Sequence, residues 1–321
     1  MFYINTIIPS TKQVLIEKVK YLKIKSIISL GLFGIKTILF KMKKPILGTI
    51  ILTDYCNLSC KHCAVNNINK VMYPYDAIVE EINKLYNEDI RILFFCGGET
   101  LTWNDGNKTI HNLINKAKEI GFLIVNIVTN GTIDLDVPEA DVIFLSLDGT
   151  KENHDLIRGN TFDTILNNVS KANTSNICVY MAVNNINYKD IEPLCKLVSG
   201  TPNLNSISFN FHTPYKGTEW LSLTNAQQIE AVNSIKAMIK SGYPIFNLYS
   251  TLDYYLQNNW KKPCYQCIVS ENKKRFVCGR CIEIDGLCEK CGYLFAVEFS
   301  LLCKGNIKVI FDMIRTYLKY V

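Results

Sequence analysis

Three cysteines in the first quarter of the chain are the residues best suited to carry chemistry. Cys56, Cys60 and Cys63 have C-x3-C-x2-C spacing in a short polar loop, directly after the apolar, β-branched residues 46–53. Thiolates are the soft ligands of iron–sulfur clusters, so three on one loop can hold three irons of a [4Fe–4S] cube. No fourth cysteine follows at cluster spacing, which leaves one iron open to a small molecule. A zinc knuckle or buried core cysteines are the alternatives.

A second motif, CGGET at residues 96–100, combines small residues with an acid. Gly97 and Gly98 allow the backbone to approach a ligand closely, and the Glu99 carboxylate can accept hydrogen bonds from an ammonium group. Gly-Gly-Glu alone is often a plain turn, so its meaning depends on its position after the second predicted strand. Cys96 is predicted to be an inert core residue.

The cysteine loop resembles the signature of the radical S-adenosylmethionine (SAM) enzymes, with His62 at a position that this family often gives to an aromatic residue. The resemblance implies that the open iron chelates the amino and carboxylate groups of SAM. It also implies that the reduced cluster cleaves SAM to a 5′-deoxyadenosyl radical, which abstracts a hydrogen atom. Residues 97–99 resemble the family's GGE motif, which holds the SAM amino group, although Thr100 stands where the family commonly has proline.

Two further segments, SLDG at 146–149 and HDLIRG at 154–159, resemble the peptide-modifying branch of this family. In that branch the serine contacts the SAM ribose, and an arginine twelve residues later contacts the SAM carboxylate. Ser146 and Arg158 are twelve residues apart here, so the resemblance assigns these roles to them. The planar fork of an arginine fits a carboxylate, although a surface ion pair is the alternative for Arg158.

The C-terminal region is marked by three C-x2-C pairs. The pairs are Cys264 with Cys267, Cys278 with Cys281, and Cys288 with Cys291. The region is similar to the SPASM domain, which implies an auxiliary [4Fe–4S] cluster, although its core spacing, C-x2-C-x6-C-x2-C, departs from that domain's C-x2-C-x5-C-x3-C. One structural zinc would fit two such knuckles equally well, because thiolates do not distinguish zinc from iron. Cys303 follows in a hydrophobic run, where a buried thiol is the simpler interpretation.

The segment from residue 46 to residue 211 alternates apolar runs with helical patterns, which is typical of repeated βα units and a parallel sheet. The predicted strands are 47–53, 90–95, 123–129, 142–147, 177–183 and 206–211. The predicted helices are 75–87, 108–120, 162–172, 189–198 and 225–241. We therefore expect an α/β protein with a partial (β/α)6 radical SAM barrel over residues 46–245 and a small cysteine-rich metal-binding appendage at 260–303. The motifs fall at the carboxyl ends of strands, where such sheets bind ligands.

Positive charge is concentrated at the start of the chain. The net charge is +6, and residues 1–46 contain nine lysines and one acid. An apolar run at 27–40 is shorter than the roughly 20 residues needed to cross a bilayer, so a basic amphipathic helix in the membrane interface is predicted for residues 1–45. Residues 304–321 are again basic, with apolar residues at helical spacing, and predict a second amphipathic helix. A helix packed on the protein's own surface is the alternative at both ends.

The composition of the chain predicts where in the cell the protein works and what it binds. The 321 residues, 48% of them hydrophobic, can build one large α/β domain. The 13 cysteines cluster in pairs and no secretory signal is evident, which predicts metal ligands in the cytoplasm, with the protein peripherally bound to the inner face of the membrane. An anionic membrane surface is the expected partner and nucleic acid is not expected. The family resemblance also implies a small electron donor of the flavodoxin or ferredoxin type.

Three functions are compatible with these features. The first is a radical SAM enzyme that abstracts hydrogen from a membrane-associated lipid or isoprenoid, which the basic amphipathic ends favour. The second is a peptide-modifying radical SAM maturase, which the SLDG and HDLIRG segments and the SPASM-like cysteines favour. The third, from a different class, is a non-catalytic iron–sulfur or zinc protein.

Overall fold

The computed structural model describes residues 28, 31–32, 34–36, 39–40, 44–64, 70–174, 176–260, 262 and 265–320. The chain divides into two compact units, residues 1–42 and residues 43–321. The described residues of the first unit are helical. Within the described ranges, no helix is both long and apolar enough to cross a membrane.

The larger unit is built on one eight-stranded sheet. Six parallel strands follow one another in chain order across it, which confirms the predicted partial (β/α)6 barrel. These strands are β1 (Leu47–Ile51), β2 (Ile92–Cys96), β5 (Ile124–Thr129), β6 (Val142–Ser146), β7 (Ile177–Val183) and β8 (Leu204–Phe211). A separate two-stranded ribbon, β3 (Asn104–Asp105) and β4 (Lys108–Thr109), lies between β2 and the next helix in the chain.

Helices connect the strands and follow the last of them. Those of the barrel are α1 (Tyr75–Asn87), α2 (Ile110–Ile120), α3 (Lys151–Arg158), α4 (Phe162–Lys171), α5 (Ile191–Gly200) and α6 (Asn225–Lys240). Three more follow: α7 (Leu252–Leu256), α8 (Leu294–Cys303) and α9 (Ile307–Tyr320). The helix predicted at 108–120 begins two residues later, because Lys108 and Thr109 belong to β4.

Successive residues of each strand face opposite sides of the sheet, and the two sides have different compositions. On β6, Ile143 and Leu145 belong to the main core between the sheet and the helices. Their neighbours Val142 and Phe144 belong to a second cluster on the inner side of the barrel. The inner side therefore has its own apolar filling, separate from the main core.

The cysteine-rich region continues the barrel sheet. Strand β9 (Cys267–Glu271) pairs in parallel with β1, and β10 (Lys274–Val277) pairs antiparallel with β9. This hairpin was not predicted from the sequence, because its two strands are short and partly polar. Because β9 covers the edge of β1, the six-stranded barrel has no open edge on that side.

Helix α3 was also missing from the predicted elements. Its sequence, KENHDLIR, is strongly polar, and only His154 and Ile157 are buried. An eight-residue helix with two inward side chains gives little hydrophobic periodicity. No helix was therefore predicted for this segment, whereas the structure places Arg158 at the last position of a helix.

A glycine fixes the cysteine-rich region to the end of β8, and its replacement should destabilise the protein. The Phe211 amide donates to the Gly292 carbonyl at 2.8 Å, and a Cβ at Gly292 would lie 1.9 Å from the Phe211 carbonyl oxygen. We expect Gly292→Ala to lower the free energy of unfolding by roughly 1–3 kcal/mol, as overpacking does. Thermal unfolding measures this effect. Gly200→Ala is the control, since a Cβ there meets nothing within 4 Å, and equal melting temperatures for the two variants would contradict the packing argument.

Candidate SAM-binding site

The cysteine loop is held in place by backbone hydrogen bonds on its flanks. Tyr73 donates to the Leu52 carbonyl at 3.1 Å before the loop, and Lys61 donates to the Ile157 carbonyl at 2.9 Å within it. Cys56, Cys60 and Cys63 are each half-buried. The loop is therefore fixed just before Cys56, at the end of β1, and again between Cys60 and Cys63, where it contacts α3.

The paired glycines place the loop against the end of β2. The Gly98 amide donates to the Thr53 carbonyl at 2.7 Å, and the Glu99 amide donates to the Tyr55 carbonyl at 2.8 Å. A Cβ at Gly98 would lie 2.0 Å from the Tyr55 carbonyl oxygen, so only glycine fits. The close approach that we predicted toward a ligand is, in the structure, an approach toward the cysteine loop itself. The assignment of Gly97 and Gly98 to SAM remains a prediction.

Glu99 is a buried carboxylate held by three donors. Its side chain is 1% exposed, Oε1 accepts from Thr129 Oγ1 at 2.6 Å and from Leu101 N at 2.9 Å, and Oε2 accepts from Asn130 N at 2.7 Å. Burial raises the pKa of Glu99 despite these donors, which favour the charged form. An ionised carboxylate has about four acceptor positions, so one remains for a further donor such as an ammonium group.

Asn130 connects this carboxylate to the cysteine loop. While its amide donates to Glu99, its side-chain nitrogen lies 2.8 Å from Asn57 Oδ1 and 3.8 Å from Cys56 Sγ. The first two sequence motifs are thus brought together through a residue to which the sequence analysis gave no role. A signal for it was present, because Asn130 directly follows the third predicted strand and strand ends meet at one edge of a parallel sheet.

Arg158 reaches the loop from the opposite side through a buried ion pair. Its Nε donates to Asp148 Oδ2 at 2.5 Å, Nη1 lies 3.8 Å from Cys60 Sγ, and Nη2 lies 3.3 Å from His62 Nε2. Asp148 is fully buried; burial alone would raise its pKa, but Arg158 and the other donors hold that pKa below its usual range. Ser146, also predicted as a SAM contact, is buried at the end of β6, two residues before Asp148. The assignment of SAM contacts to Ser146 and Arg158 remains a prediction.

Two histidines beside this ion pair are neutral near pH 7. Burial lowers the pKa of His62 and of His154 to about 4 in each case. His154 Nδ1 accepts from the Asp148 amide at 3.1 Å and its Nε2 pairs with Thr161, so this side chain holds the turn after β6. His62 Nδ1 is buried without a hydrogen-bond partner among the described residues. A buried polar atom without a partner beside three thiols fits a site that receives a polar ligand.

The six cysteines of the three C-x2-C pairs fall into two groups. Cys278, Cys281, Cys288 and Cys291 line one small cavity, together with Thr213, Trp260, Lys262 and Leu287. A hydrogen bond from Cys278 lowers the pKa of Cys281 to about 7, whereas burial raises that of Cys291 to about 12. Cys267 begins β9, outside this cavity lining, and Cys264 lies outside the described residues.

Both thiol sets fit a metal centre by their chemistry, because four and three thiols are the sets that iron–sulfur clusters use. In the described part of the chain, no three Cys, His, Asp or Glu side chains are arranged to hold a single metal ion as they stand. Cys303 is half-buried at the end of α8.

The inner side of the barrel combines aromatic rings with polar atoms. Phe144 packs against Tyr180 and Phe295, and the rings of Tyr180 and Phe295 are stacked 6.3 Å apart. On β8, Ser208 and Asn210 face this side, next to Tyr180 and Ala182 of β7. Ser208 Oγ and Asn210 Nδ2 are buried and have no hydrogen-bond partner among the described residues, although Asn210 Oδ1 accepts from Leu294 N at 2.7 Å.

Comparison with known proteins identifies the larger part of the barrel. Residues 50–198 match the family model of the radical SAM superfamily. Radical SAM cyclopropyl synthase TigE of Paramaledivibacter caminithermalis is 33% identical over 26% of this chain and 22% of its own length. The probable GTP 3′,8-cyclase of Methanothermobacter marburgensis is 30% identical over 37% of this chain and 39% of its own. The chain thus spans less than half the length of these relatives.

Solved structures show the same fold. SuiB of Streptococcus suis bound to S-adenosylmethionine has a TM-score of 0.61 at 13% identity, covering 83% of this chain and 68% of that one. Native anSMEcpe with bound AdoMet and Cp18Cys peptide has a TM-score of 0.56 at 18% identity, covering 85% and 84%. The resemblance of the cysteine loop to the radical SAM superfamily is confirmed, because the matched residues 50–198 include this loop.

Proposed function

We propose that this chain is a radical SAM enzyme whose cofactor site is the space between Glu99, Arg158 and the cysteine loop. The observation that carries this proposal is that two polar groups reach the thiols of one loop. Asn130, which donates to the buried Glu99 carboxylate, lies 3.8 Å from Cys56 Sγ, and Arg158, whose side chain is 10% exposed, lies 3.8 Å from Cys60 Sγ. When bound by Cys56, Cys60 and Cys63, a reduced [4Fe–4S] cluster supplies the electron that cleaves SAM to a 5′-deoxyadenosyl radical.

The protein's own residues hold and orient SAM in this proposal. Glu99 would accept from the SAM amino group with its remaining acceptor position, and Gly97 and Gly98 would let the backbone beside Glu99 approach SAM closely. Arg158 directs its two Nη groups toward the loop, since Asp148 binds its Nε, and these donors suit the SAM carboxylate. Ser146 contacts the ribose from the end of β6.

A peptide is the substrate that the inner side of the barrel supports best. Ser208 Oγ and Asn210 Nδ2 offer a hydroxyl and an amide donor beside aromatic rings, which matches the alternating amide groups and side chains of a peptide. Two structural neighbours were solved with peptides, SuiB with its precursor peptide and anSMEcpe with Cp18Cys. In this proposal the four-thiol cavity holds an auxiliary [4Fe–4S] cluster or a zinc ion next to the substrate. A small flavodoxin-type or ferredoxin-type donor supplies the electron.

A membrane lipid or isoprenoid is the second candidate substrate, and the N-terminal unit favours it. Ile28, Leu32, Ile35 and Leu39 are spaced along one face of a helix, and each is more than half exposed. Apolar residues in that pattern suit a helix in the interface of the inner membrane face, which would bring the enzyme to an apolar substrate. The aromatic part of the barrel interior would accept such a chain as well.

Replacing Glu99 should impair SAM cleavage. Glu99→Gln keeps the side-chain shape but removes the charge that would pair with the SAM ammonium group. Its amide NH2 group would also face a backbone N–H, of Asn130 or of Leu101, where the carboxylate now accepts a hydrogen bond. A hydrogen bond to a charged group contributes about 1.5–3 kcal/mol, so we expect roughly a 10- to 100-fold loss of 5′-deoxyadenosine formation from the reconstituted enzyme under reduction. Glu139→Gln is the control, because that acid pairs with His111 away from the loop. If both variants form 5′-deoxyadenosine as fast as the unmodified protein, the proposed role of Glu99 is wrong. If the unmodified protein forms none either, the result favours the non-catalytic metal protein over the enzyme.

The second thiol set should bind metal independently of the first. We expect the Cys56→Ala, Cys60→Ala, Cys63→Ala triple variant to retain iron with the absorption of a [4Fe–4S] cluster, because Cys278, Cys281, Cys288 and Cys291 line a separate cavity. Elemental analysis and electron paramagnetic resonance of the reduced protein check this. Zinc without iron in the triple variant would show a structural zinc site, and no metal at all would remove the auxiliary site.

The two substrate candidates can be separated by the fraction of a cell extract that stimulates SAM cleavage. We expect a small-peptide fraction from the source cells to increase 5′-deoxyadenosine formation, and protease treatment of that fraction to abolish the increase. Ser208→Ala should weaken this stimulation by several-fold, since one hydrogen bond is worth about 1 kcal/mol, and should leave the unstimulated rate unchanged. Stimulation by the organic-solvent lipid extract instead would support the lipid candidate.

A further inference from the structure

The C-terminal helix α9 presents an apolar face to solvent. Ile307, Phe311 and Ile314 are 69%, 68% and 52% exposed, and their spacing of four and three residues places them on one side of the helix. The opposite side is anchored, because Val309 is fully buried in the main core. The helix is therefore fixed to the larger unit with its apolar stripe outward.

The exposed charges of residues 304–316 are all positive. Lys304, Lys308 and Arg315 are exposed beside the apolar residues. The one acid of this segment, Asp312, is half-buried and accepts from the Ser250 amide at 2.9 Å, so it faces the body of the protein. An apolar stripe flanked by bases is the pattern of helices that lie in the interface of an anionic bilayer.

We propose that the exposed face of α9, namely Ile307, Phe311 and Ile314 with their flanking bases, docks on the surface of an anionic membrane. The apolar side chains enter the region below the headgroups, and the bases pair with lipid phosphates. Docking of this face on a membrane requires neither a particular substrate nor SAM cleavage.

A second copy of this chain is a less suitable occupant than a bilayer. A two-fold contact through the stripe would bring Lys304, Lys308 and Arg315 close to the same bases of the partner, without an exposed acid in this segment to compensate. Anionic headgroups supply the missing negative charge. The N-terminal segment has the same chemistry, with nine lysines and one acid in residues 1–46.

Vesicle binding by the full-length protein tests the proposal. Binding to vesicles of phosphatidylcholine with phosphatidylglycerol is compared with binding to phosphatidylcholine alone, by co-sedimentation. We expect Phe311→Glu to weaken binding to the anionic vesicles by at least about tenfold, because burying a phenyl group contributes about 1.5–3 kcal/mol. Ile229→Glu is the matched control on α6, where the isoleucine is 50% exposed, and should bind as the unmodified protein does.

The charges are tested by a second pair of variants. Lys308→Gln with Arg315→Gln should weaken binding roughly 30-fold at low salt, since each base near the surface contributes about 1 kcal/mol, and added salt should reduce the difference. Lys171→Gln, an exposed lysine on α4, should have no effect. Unchanged melting temperatures and unchanged 5′-deoxyadenosine formation exclude misfolding as the cause of weaker binding.

Two results would overturn the proposal. One is equal binding of Phe311→Glu and the unmodified protein to anionic vesicles, because a docked face cannot tolerate a buried carboxylate. The other is a dimer in solution that Phe311→Glu dissociates, which would assign the face to a second copy. Neither result affects the proposed SAM chemistry, since the vesicle assay needs no SAM.

Discussion

The close contact between the Gly-Gly turn after β2 and the backbone after β1 is the constraint on which the site depends. Strands β1 and β2 are paired to their ends, and the hydrogen bonds from Gly98 and Glu99 to residues 53 and 55 continue that pairing into the loop. A side chain on either glycine would collide with Thr53 or Tyr55. Two consecutive glycines therefore fix the start of the cysteine loop and place Glu99 beside it in the same step.

A second constraint is electrostatic. Asp148 and Arg158 are both removed from water, and such a pair is stable only when each charge keeps its partner; losing one costs about 3–5 kcal/mol. Asp148 Oδ1 also accepts from the Ala182 amide of β7 at 2.7 Å. The pair therefore ties strand β7 and the end of helix α3 together. Because Asp148 binds Nε, the guanidinium is held in one orientation, with Nη1 and Nη2 toward the cysteine loop.

The sequence analysis predicted the barrel well because its strands are long apolar runs whose order the βα pattern determines. Strand β7, for example, was predicted with its observed bounds. Asn130 and Asp148 each follow a predicted strand, but their hydrogen-bond partners were missed, because a hydrogen bond across the sheet leaves no local pattern. The hairpin β9–β10 was missed for a related reason: its pairing with β1 joins residues more than two hundred positions apart. The assignment of individual SAM contacts, including Gly97, Gly98, Ser146 and Arg158, stays a prediction.

The position of the cysteine-rich region follows from the need of a partial barrel to cover two sheet edges. Six strands do not close on themselves, so β1 and β8 would each expose unpaired backbone groups. Strand β9 covers β1, while the Asn247 side chain pairs with the backbone of Phe209 and Gly292 pairs with that of Phe211 at the other edge. The residues that pair with these two edges, β9 on one side and Asn247 and Gly292 on the other, all follow residue 240. The four-thiol cavity is thereby placed beside Thr213, just past the end of β8, and Phe295 of α8 is placed inside the barrel. The C-terminal region thus contributes Phe295 to the inner side of the barrel, and its cysteines are fixed near the end of β8 by the same hydrogen bonds that complete the sheet.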